Sequence, residues 1–329
     1  MGETASRILV IVNPSARGGA VALLDEVVER CRDLGNEPDT LSPQGTDRAV
    51  REIAGAVATG GPWRAVIAVG GDGTARTVAE GLARGLGRIR GDTGGNAEHV
   101  EPSEAPPLFV VPGGTGNSVY RALWEDRPWP EVLDDALFGR GRIRDLDLLR
   151  ISETGSFALL GASAGLIAEA VHVSAGMAGV SGRDLYQAAA ITALEQHEPF
   201  AARITVDGVA LHDGPTTLVA VGGARHRSGT FQLLPRSVLD DGLLDVCVIR
   251  GVDAGAFVDL AGVVAAGEHL GRPEVAYAQG RSVTITRTDG APLRFEHDGD
   301  LWQREDTTLT IEIVPAAVPA FAPVQPVAG

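Results

Sequence analysis

Cysteine, aromatic residues, positive charge and long apolar runs are all scarce in this chain, and each shortage excludes something. The two cysteines, Cys31 and Cys247, stand far apart. There is no CxxC pair and no Cys/His cluster, which argues against a zinc site. Both lie in apolar patterns and read as buried thiols of a reducing compartment. Aromatic residues make up 5% of the chain, so any apolar ligand site must be lined mainly by aliphatic side chains. Lys and Arg number 28 against 43 Asp and Glu, a net charge of −15. That balance argues against nucleic acid as a partner, because phosphate contacts need Lys and Arg. It also argues against strong electrostatic docking on anionic lipid without a local basic patch. The longest apolar stretch, around Ala254 to Ala266, is too short to span a bilayer and contains Asp259. The start, MGETASRILVIVNP, lacks the positive and apolar regions of a signal peptide. These features predict a cytoplasmic protein whose membrane contact, where it has any, is peripheral.

What is present is a chain of 329 residues, 44% hydrophobic and 22% charged, long enough for two domains. The run from Arg64 to Thr74 carries the most information. Ala65 to Val69 is apolar throughout, as in a parallel strand covered on both faces. Gly70-Gly71-Asp72-Gly73-Thr74 follows, and then a helical pattern to Leu86. Glycines there let backbone amides approach a ligand closely. The helix start favours an anion such as phosphate. Asp72 then has a candidate task in holding a metal ion or positioning a phosphate or hydroxyl. Neither the dinucleotide pattern G-x-G-x-x-G nor the Walker pattern fits this loop.

The flanking sequence repeats the alternation of strand and helix. Ile8 to Val12 reads as a first strand ending in Asn13-Pro14 and Gly18-Gly19. Helices follow over Leu24 to Leu34 and over Asp47 to Ala58, the second with Thr46 as its cap. Pro38 to Gly45 reads as a strand end and loop, and Gly87 to Pro107 as a polar surface loop. Leu108 to Val111 is another strand, running into Pro112-Gly113-Gly114-Thr115-Gly116-Asn117. Two glycine-rich loops at carboxyl ends of parallel strands stand where open α/β sheets bind ligands.

From Ile143 the pattern changes to short strands: Ile143 to Arg150, Phe157 to Ala162, Ala202 to Val206, Thr217 to Val221, Leu244 to Arg250, Ser282 to Thr286 and Thr308 to Val314. Helices are expected over Ser181 to Gln196 and Ala254 to Leu270. The fold class is therefore a two-domain α/β protein. A doubly wound parallel sheet with glycine-rich loops spans 1–142, and a β-rich, sandwich-like domain spans 143–315. The tail 316–329 is expected to return to the first domain.

The order of motifs resembles the diacylglycerol kinase and sphingosine kinase branch of the NAD kinase superfamily. The resemblance rests on Asn13-Pro14 with Gly18-Gly19, on Gly70 to Thr74, and on Gly113 to Asn117. It continues through Asp241-Gly242-Leu243-Leu244-Asp245, and through Asp298-Gly299-Asp300, where the family has Asp-Gly-Glu. It implies transfer of the ATP γ-phosphoryl group to a hydroxyl, most plainly that of a lipid alcohol such as diacylglycerol. It gives Asp298 the role of general base and lets Asp72 act through Mg2+ or phosphate oxygens. Gly70, Gly71, Asp72, Gly73 and Thr74 would hold phosphates, helped by the hydroxyls of Thr74 and Thr115, with Asn13 and Thr40 lining the nucleotide cleft, while Arg76, a departure from the family, could contact a nucleotide phosphate or an anionic substrate. Asp241, with carbonyls near Val238 and Leu243, would form a second-domain Mg2+ site. The chain departs from the family at Arg76, Thr77 and Ser118, where Asn, Glu and Asp are usual. Those departures leave open a soluble acceptor, such as a sugar or nucleoside, or a nucleotide-binding protein with impaired catalysis. A homodimer is compatible with either reading. His297 reads as an exposed strand residue, and His226 as part of a solvated loop.

Overall fold

The computed structural model describes residues 6–14, 19–59, 61, 63–89, 105–177, 182–226 and 231–324. Gly18, Val180, Arg227 and most of the polar stretch before Pro107 lie outside these residues. The chain forms two compact units. One holds the stretch up to Leu146 and the segment from Ala316 on, and the other holds Asp147–Pro315. The change of unit thus falls a few residues after the expected position 142, inside a strand.

The first unit alternates strand and helix in the order β1 (Ser6–Val12), α1 (Ala20–Asp33), β2 (Asn36–Leu41), α2 (Thr46–Ala58), β3 (Trp63–Gly70), α3 (Asp72–Gly85) and β4 (Leu108–Pro112). Two short helices, α4 (Ser118–Trp124) and α5 (Trp129–Leu137), lead to β5 (Arg142–Ile151). β1 pairs in parallel with β2 on one side and β3 on the other, and β3 pairs in parallel with β4. The chain therefore winds outward from β1 in both directions, which puts a switch point between β1 and β3. Ile8 to Val12 and Ala65 to Val69 are buried along their whole length, so both faces of these strands are covered. Thr46 is the first helical residue of α2 rather than its cap. Gly45 caps instead, at φ 81°, a conformation that a side chain would disfavour.

The second unit contains β6 (Phe157–Ala158), β7 (Gly161–Gly165), α6 (Leu166–Gly176), α7 (Gly182–Gln196), β8 (Phe200–Val206), β9 (Val209–Gly222), β10 (Leu244–Arg250), α8 (Ala254–Ala265), β11 (Val275–Gly280), β12 (Ser282–Arg287), β13 (Phe295–His297), β14 (Asp300–Trp302) and β15 (Thr308–Ala322). Its strand order is β14-β13-β7-β9-β8-β12-β15, with β10 and β11 branching from β9. These pairings are antiparallel. β10 shows why this part reads as β-rich. Val246 and Val248 enter a core shared with Ile204, Val219 and Ile285. Cys247 and Ile249 enter a second core with Leu218, Leu260 and Val264, under the helices. Successive side chains point to opposite faces, and both faces are buried. The last part of β15 belongs to the first unit, where Ala320 pairs in parallel with Leu108 of β4. The tail thus supplies a fifth strand to the first sheet.

Candidate functional site

The residues expected to bind nucleotide in the first unit gather at the carboxyl edge of its sheet. Asn13 follows β1, Thr40 lies near the end of β2, and the Gly70 and Gly113 loops follow β3 and β4. The two glycine-rich loops touch backbone to backbone. A Cβ on Gly114 would stand 2.4 Å from Gly71 Cα, and one on Gly113 would stand 3.1 Å from Ala20 Cα and 3.3 Å from Gly70 Cα. Gly113 N–H donates to Gly70 O at 2.9 Å. Glycine is required at Gly114 by this close approach, and a Cβ at Gly113 would be a tight contact. Gly73 differs, since a Cβ there would meet nothing within 4 Å. It is exposed in the first turn of α3, where the helix N–H groups lack intrahelical partners.

The Gly113 loop is braced from within and from the Gly70 loop. Asn117, at φ 53°, accepts from Gly114 N–H through Oδ1 and donates to Gly114 O through Nδ2, both at 2.9 Å. Asp72 Oδ1 accepts from Val119 N–H at 2.9 Å. Its Oδ2 lies 3.0 Å from where a Cβ on Gly116 would be. The task this geometry gives Asp72 is to tie the start of α3 to the start of α4. Thr74 is buried, with its Oγ1 only 2.4 Å from where a Cβ on Gly70 would stand. The phosphate contact expected of its hydroxyl is therefore not presented, whereas Thr115 is exposed. Arg76 is also buried, at 8% exposure, and it is partnered. A guanidinium taken out of water needs such a partner. Thr77 turns its Oγ1 back to Gly73 O at 2.8 Å.

In the second unit, Asp298 and Gly299 form the two-residue loop between β13 and β14. Their φ values are 47° and 87°, and His297 pairs with Asp300 across the loop. Both positive φ values match the tight hairpin turn that Asp-Gly favours. The Asp298 carboxylate accepts three backbone N–H groups: Leu159 at 2.6 Å to Oδ2, and Leu160 and Gly161 at 2.9 and 3.1 Å to Oδ1. A carboxylate has about four lone-pair sites, so three donors nearly saturate it. This is a clamp, and it competes with the general-base role expected of Asp298. Glu296, buried beside it, accepts from Gly299 N–H at 3.0 Å. Asp300 is the exposed carboxylate of the turn. His297 is buried rather than exposed, and its Nε2 lies 3.3 Å from Ser156 Oγ.

The expected metal residues lie on one turn. Asp241 is exposed, and its Oδ1 accepts from Leu243 N–H at 3.0 Å. Gly242, at φ 72°, donates its N–H to Asp147 Oδ2 at 2.7 Å, and Asp147 N–H donates to Leu239 O at 2.8 Å. Val238 is 37% exposed. Among the described residues, no group of three or more His, Cys, Asp or Glu side chains is arranged to hold a metal ion. A turn offering one carboxylate and main-chain carbonyls still has the all-oxygen donor set that Mg2+ prefers. Behind it Asp245 is fully buried and accepts from Tyr277 Oη at 2.5 Å and Gln279 Nε2 at 3.2 Å. Burial pushes its carboxyl above the usual range, against those two hydrogen bonds. Asp147 and Glu296 carry no role in the sequence reading, because each is an acid that only the fold pairs with a turn N–H.

Comparison with known proteins supplies what geometry alone does not. Residues 7–151 match the diacylglycerol kinase catalytic domain. Residues 161–322 match the YegS C-terminal NAD kinase beta sandwich-like domain. The chain belongs to the diacylglycerol kinase family. It is a kinase, and its two-domain fold is the one read from the strand and helix pattern. Among its relatives is a Stenotrophomonas maltophilia protein named "Probable lipid kinase YegS-like", 28% identical over 78% of each chain. Another is a Bacillus subtilis protein named "Diacylglycerol kinase", 25% identical over 88% of this chain and 89% of that one. A solved structure of a Bacillus anthracis protein described as a diacylglycerol kinase superposes with a TM-score of 0.70 at 21% identity, covering 96% of this chain and 97% of that one. That likeness concerns the fold. Among the described residues, no helix of this family member is long and apolar enough to cross a membrane.

Proposed function

We propose that this kinase transfers the γ-phosphoryl group of ATP to a hydroxyl of a lipid alcohol such as diacylglycerol. The observation that carries the reading is the pair of glycine-rich loops pressed together at the sheet's carboxyl edge, with Gly73 left open at the start of α3. Phosphoryl transfer demands positioning and charge stabilisation rather than covalent chemistry. Main-chain N–H groups of the Gly70–Gly73 loop hold the phosphates, and Thr115 adds a hydroxyl donor. Asn13 and Thr40 line the nucleotide side. Asp72 keeps the two loops in register, so it acts on the phosphates through the backbone it positions. Arg76 braces α3 from a buried position.

The acceptor hydroxyl gives up its proton to a carboxylate of the β13–β14 turn. Asp298 was the expected base. Its three N–H donors fill most of its lone-pair sites and turn both oxygens to the backbone, which leaves little room for a substrate hydroxyl. We assign that proton to Asp300, with Asp298 as the residue that fixes the turn. Asp241 and the carbonyls of Val238 and Leu243 would hold Mg2+, which would supply positive charge and rigidity to that turn.

The test is ATP-dependent phosphate transfer to diacylglycerol in mixed micelles, with sugars and nucleosides as parallel acceptors. Loss of the basic group is expected to slow turnover of the Asp300→Asn variant about 10²–10⁴-fold at unchanged melting temperature. The Asp298→Ala variant is expected to lose about 2–4 kcal/mol of stability in the second unit. Transfer to a soluble alcohol alone would replace the lipid acceptor. Unchanged turnover in the Asp300→Asn variant would return the base role to Asp298.

A further inference from the structure

We propose that a groove on the second unit, sharing no residue with the Asp298 turn or the Asp241 turn, binds a phosphomonoester dianion attached to an apolar body. The groove is open to solvent, offers about 440 Å³ and is lined by Arg150, Arg281, Ser282, Glu312 and the run Ile313–Pro315. Its polar groups sit on neighbouring strands. Ser282 opens β12 and faces Glu312 of β15 in register. Arg150, on β5, forms an ion pair with Glu312 through Nη2. Arg281 stands in the one-residue link between β11 and β12.

Arg281 is held in place by its backbone. Its N–H and that of Ser282 both donate to Asp207 Oδ1, at 2.9 and 2.8 Å, and its carbonyl accepts from Ile313 N–H at 3.0 Å. Its side chain is exposed, and among the described residues no ion pair or side-chain hydrogen bond occupies its guanidinium. A fixed backbone carrying an unpaired cation is a prepared anion contact, because less freedom is lost on binding. Arg150 commits Nη2 to Glu312 and has further N–H donors to offer.

The charges select the ligand. Two guanidiniums and one carboxylate line the groove, with the Asp207 carboxylate behind the Arg281 backbone, in a chain of net charge −15. The sequence contains no lysine, so every one of its 28 basic residues is an arginine. The planar guanidinium fork matches phosphate oxygens two at a time. A monoester leaves three free oxygens for the two guanidiniums and the Ser282 hydroxyl, against two in a diester, so it satisfies more of these donors at once. The Ser282 hydroxyl supplies a neutral donor. Ile313, Val314 and Pro315 provide apolar surface that inorganic phosphate cannot use. A phosphomonoester lipid headgroup and a small soluble phosphomonoester share this chemistry.

The test uses the full chain at physiological ionic strength. Cosedimentation is measured with phosphatidylcholine vesicles carrying phosphatidic acid, or an equal fraction of phosphatidylglycerol. Calorimetric titration is done with glycerol 3-phosphate. Wild type is compared with Arg281→Gln and Arg150→Gln, whose melting temperatures verify folding. Wild type is expected to prefer phosphatidic acid vesicles, and Arg281→Gln to bind them about tenfold more weakly, the size of one charge-assisted hydrogen bond. Arg281-dependent binding of glycerol 3-phosphate without vesicle binding would keep the phosphate contacts, make the ligand soluble and overturn the part assigned to the apolar body. Binding that is equal in wild type and both variants, or absent throughout, would overturn the proposal. Kinase turnover of Arg281→Gln is measured separately, so a failure here leaves the assigned reaction untouched.

Discussion

Two glycines in adjoining loops should respond in opposite ways to the same added methyl group. At Gly114 an alanine Cβ would lie 2.4 Å from the backbone Cα of Gly71. Carbon atoms rest about 3.5–4.0 Å apart, so the loops would have to separate by more than 1 Å or so. Neither side of that contact is a flexible side chain. Overpacking of this kind costs about 1–3 kcal/mol, or roughly 2–12 °C in the melting of a unit of this size. Displacing a phosphate-binding loop by about 1 Å also costs about 100-fold in turnover. At Gly73 the methyl would meet nothing within 4 Å, and φ does not lie in the left-handed region. The Gly73→Ala variant should therefore gain about 0.4–1 kcal/mol, because the unfolded chain loses freedom. If the open space at Gly73 is where phosphate oxygens approach, the same methyl should weaken nucleotide binding by at least tenfold or so. Scanning calorimetry and fluorescent-nucleotide titration of both variants would decide. A Gly73→Ala variant that binds nucleotide as well as wild type would refute the phosphate site. A Gly114→Ala variant with wild-type melting would refute the rigid contact between the loops.

Two further outcomes follow from burial. Asp245 has its carboxyl raised, so its contribution to stability is full below the usual carboxylate range and is lost as pH rises through its raised value. The Asp245→Asn variant should exceed wild type in urea midpoint at neutral pH, and the gap should close on acidification; a gap that widens in acid would contradict this sign. Burial pushes the Cys31 thiol to about 11 and the Cys247 thiol to about 12. Iodoacetamide at mildly alkaline pH should leave both unmodified in the native protein and alkylate both in denaturant, as mass spectrometry would report.

β1, β3 and β4 of the first unit were legible because a strand buried on both faces is a continuous apolar run, whereas β2, the polar stretch Asn36–Leu41, showed only as a strand end and loop. Glycine clusters after such runs mark the loops directly. What lay hidden were pairings set by the fold. Phe157 to Ala162 reads as one strand, yet it breaks at Leu159 and Leu160, whose N–H groups turn to Asp298 instead of a neighbouring strand. The three-residue strands on either side of Asp298 are too short to show a period. An Asp-Gly dipeptide reads alike whether its carboxylate takes a proton or clamps a loop. Thr74 and Arg76 looked ligand-facing because they follow the glycine loop, but the first turns of α3 bury both. Val275–Gly280 escaped notice because alanine and glycine carry weak strand preference. β15 runs on through Pro315 and Pro319, residues that normally argue against a strand.

The pairing of Ala320 with Leu108 also sets an order of events during synthesis. Everything in the first unit up to β4 can collapse early, but one edge of β4 has no neighbour until the entire second unit has been made. During that interval the nascent chain displays an apolar strand with open hydrogen-bonding groups, a template for pairing with other chains. Closing the sheet requires a contact between distant parts of the chain, which is intrinsically slow. The first unit should therefore be the last part of the molecule to become complete, although its sequence comes first.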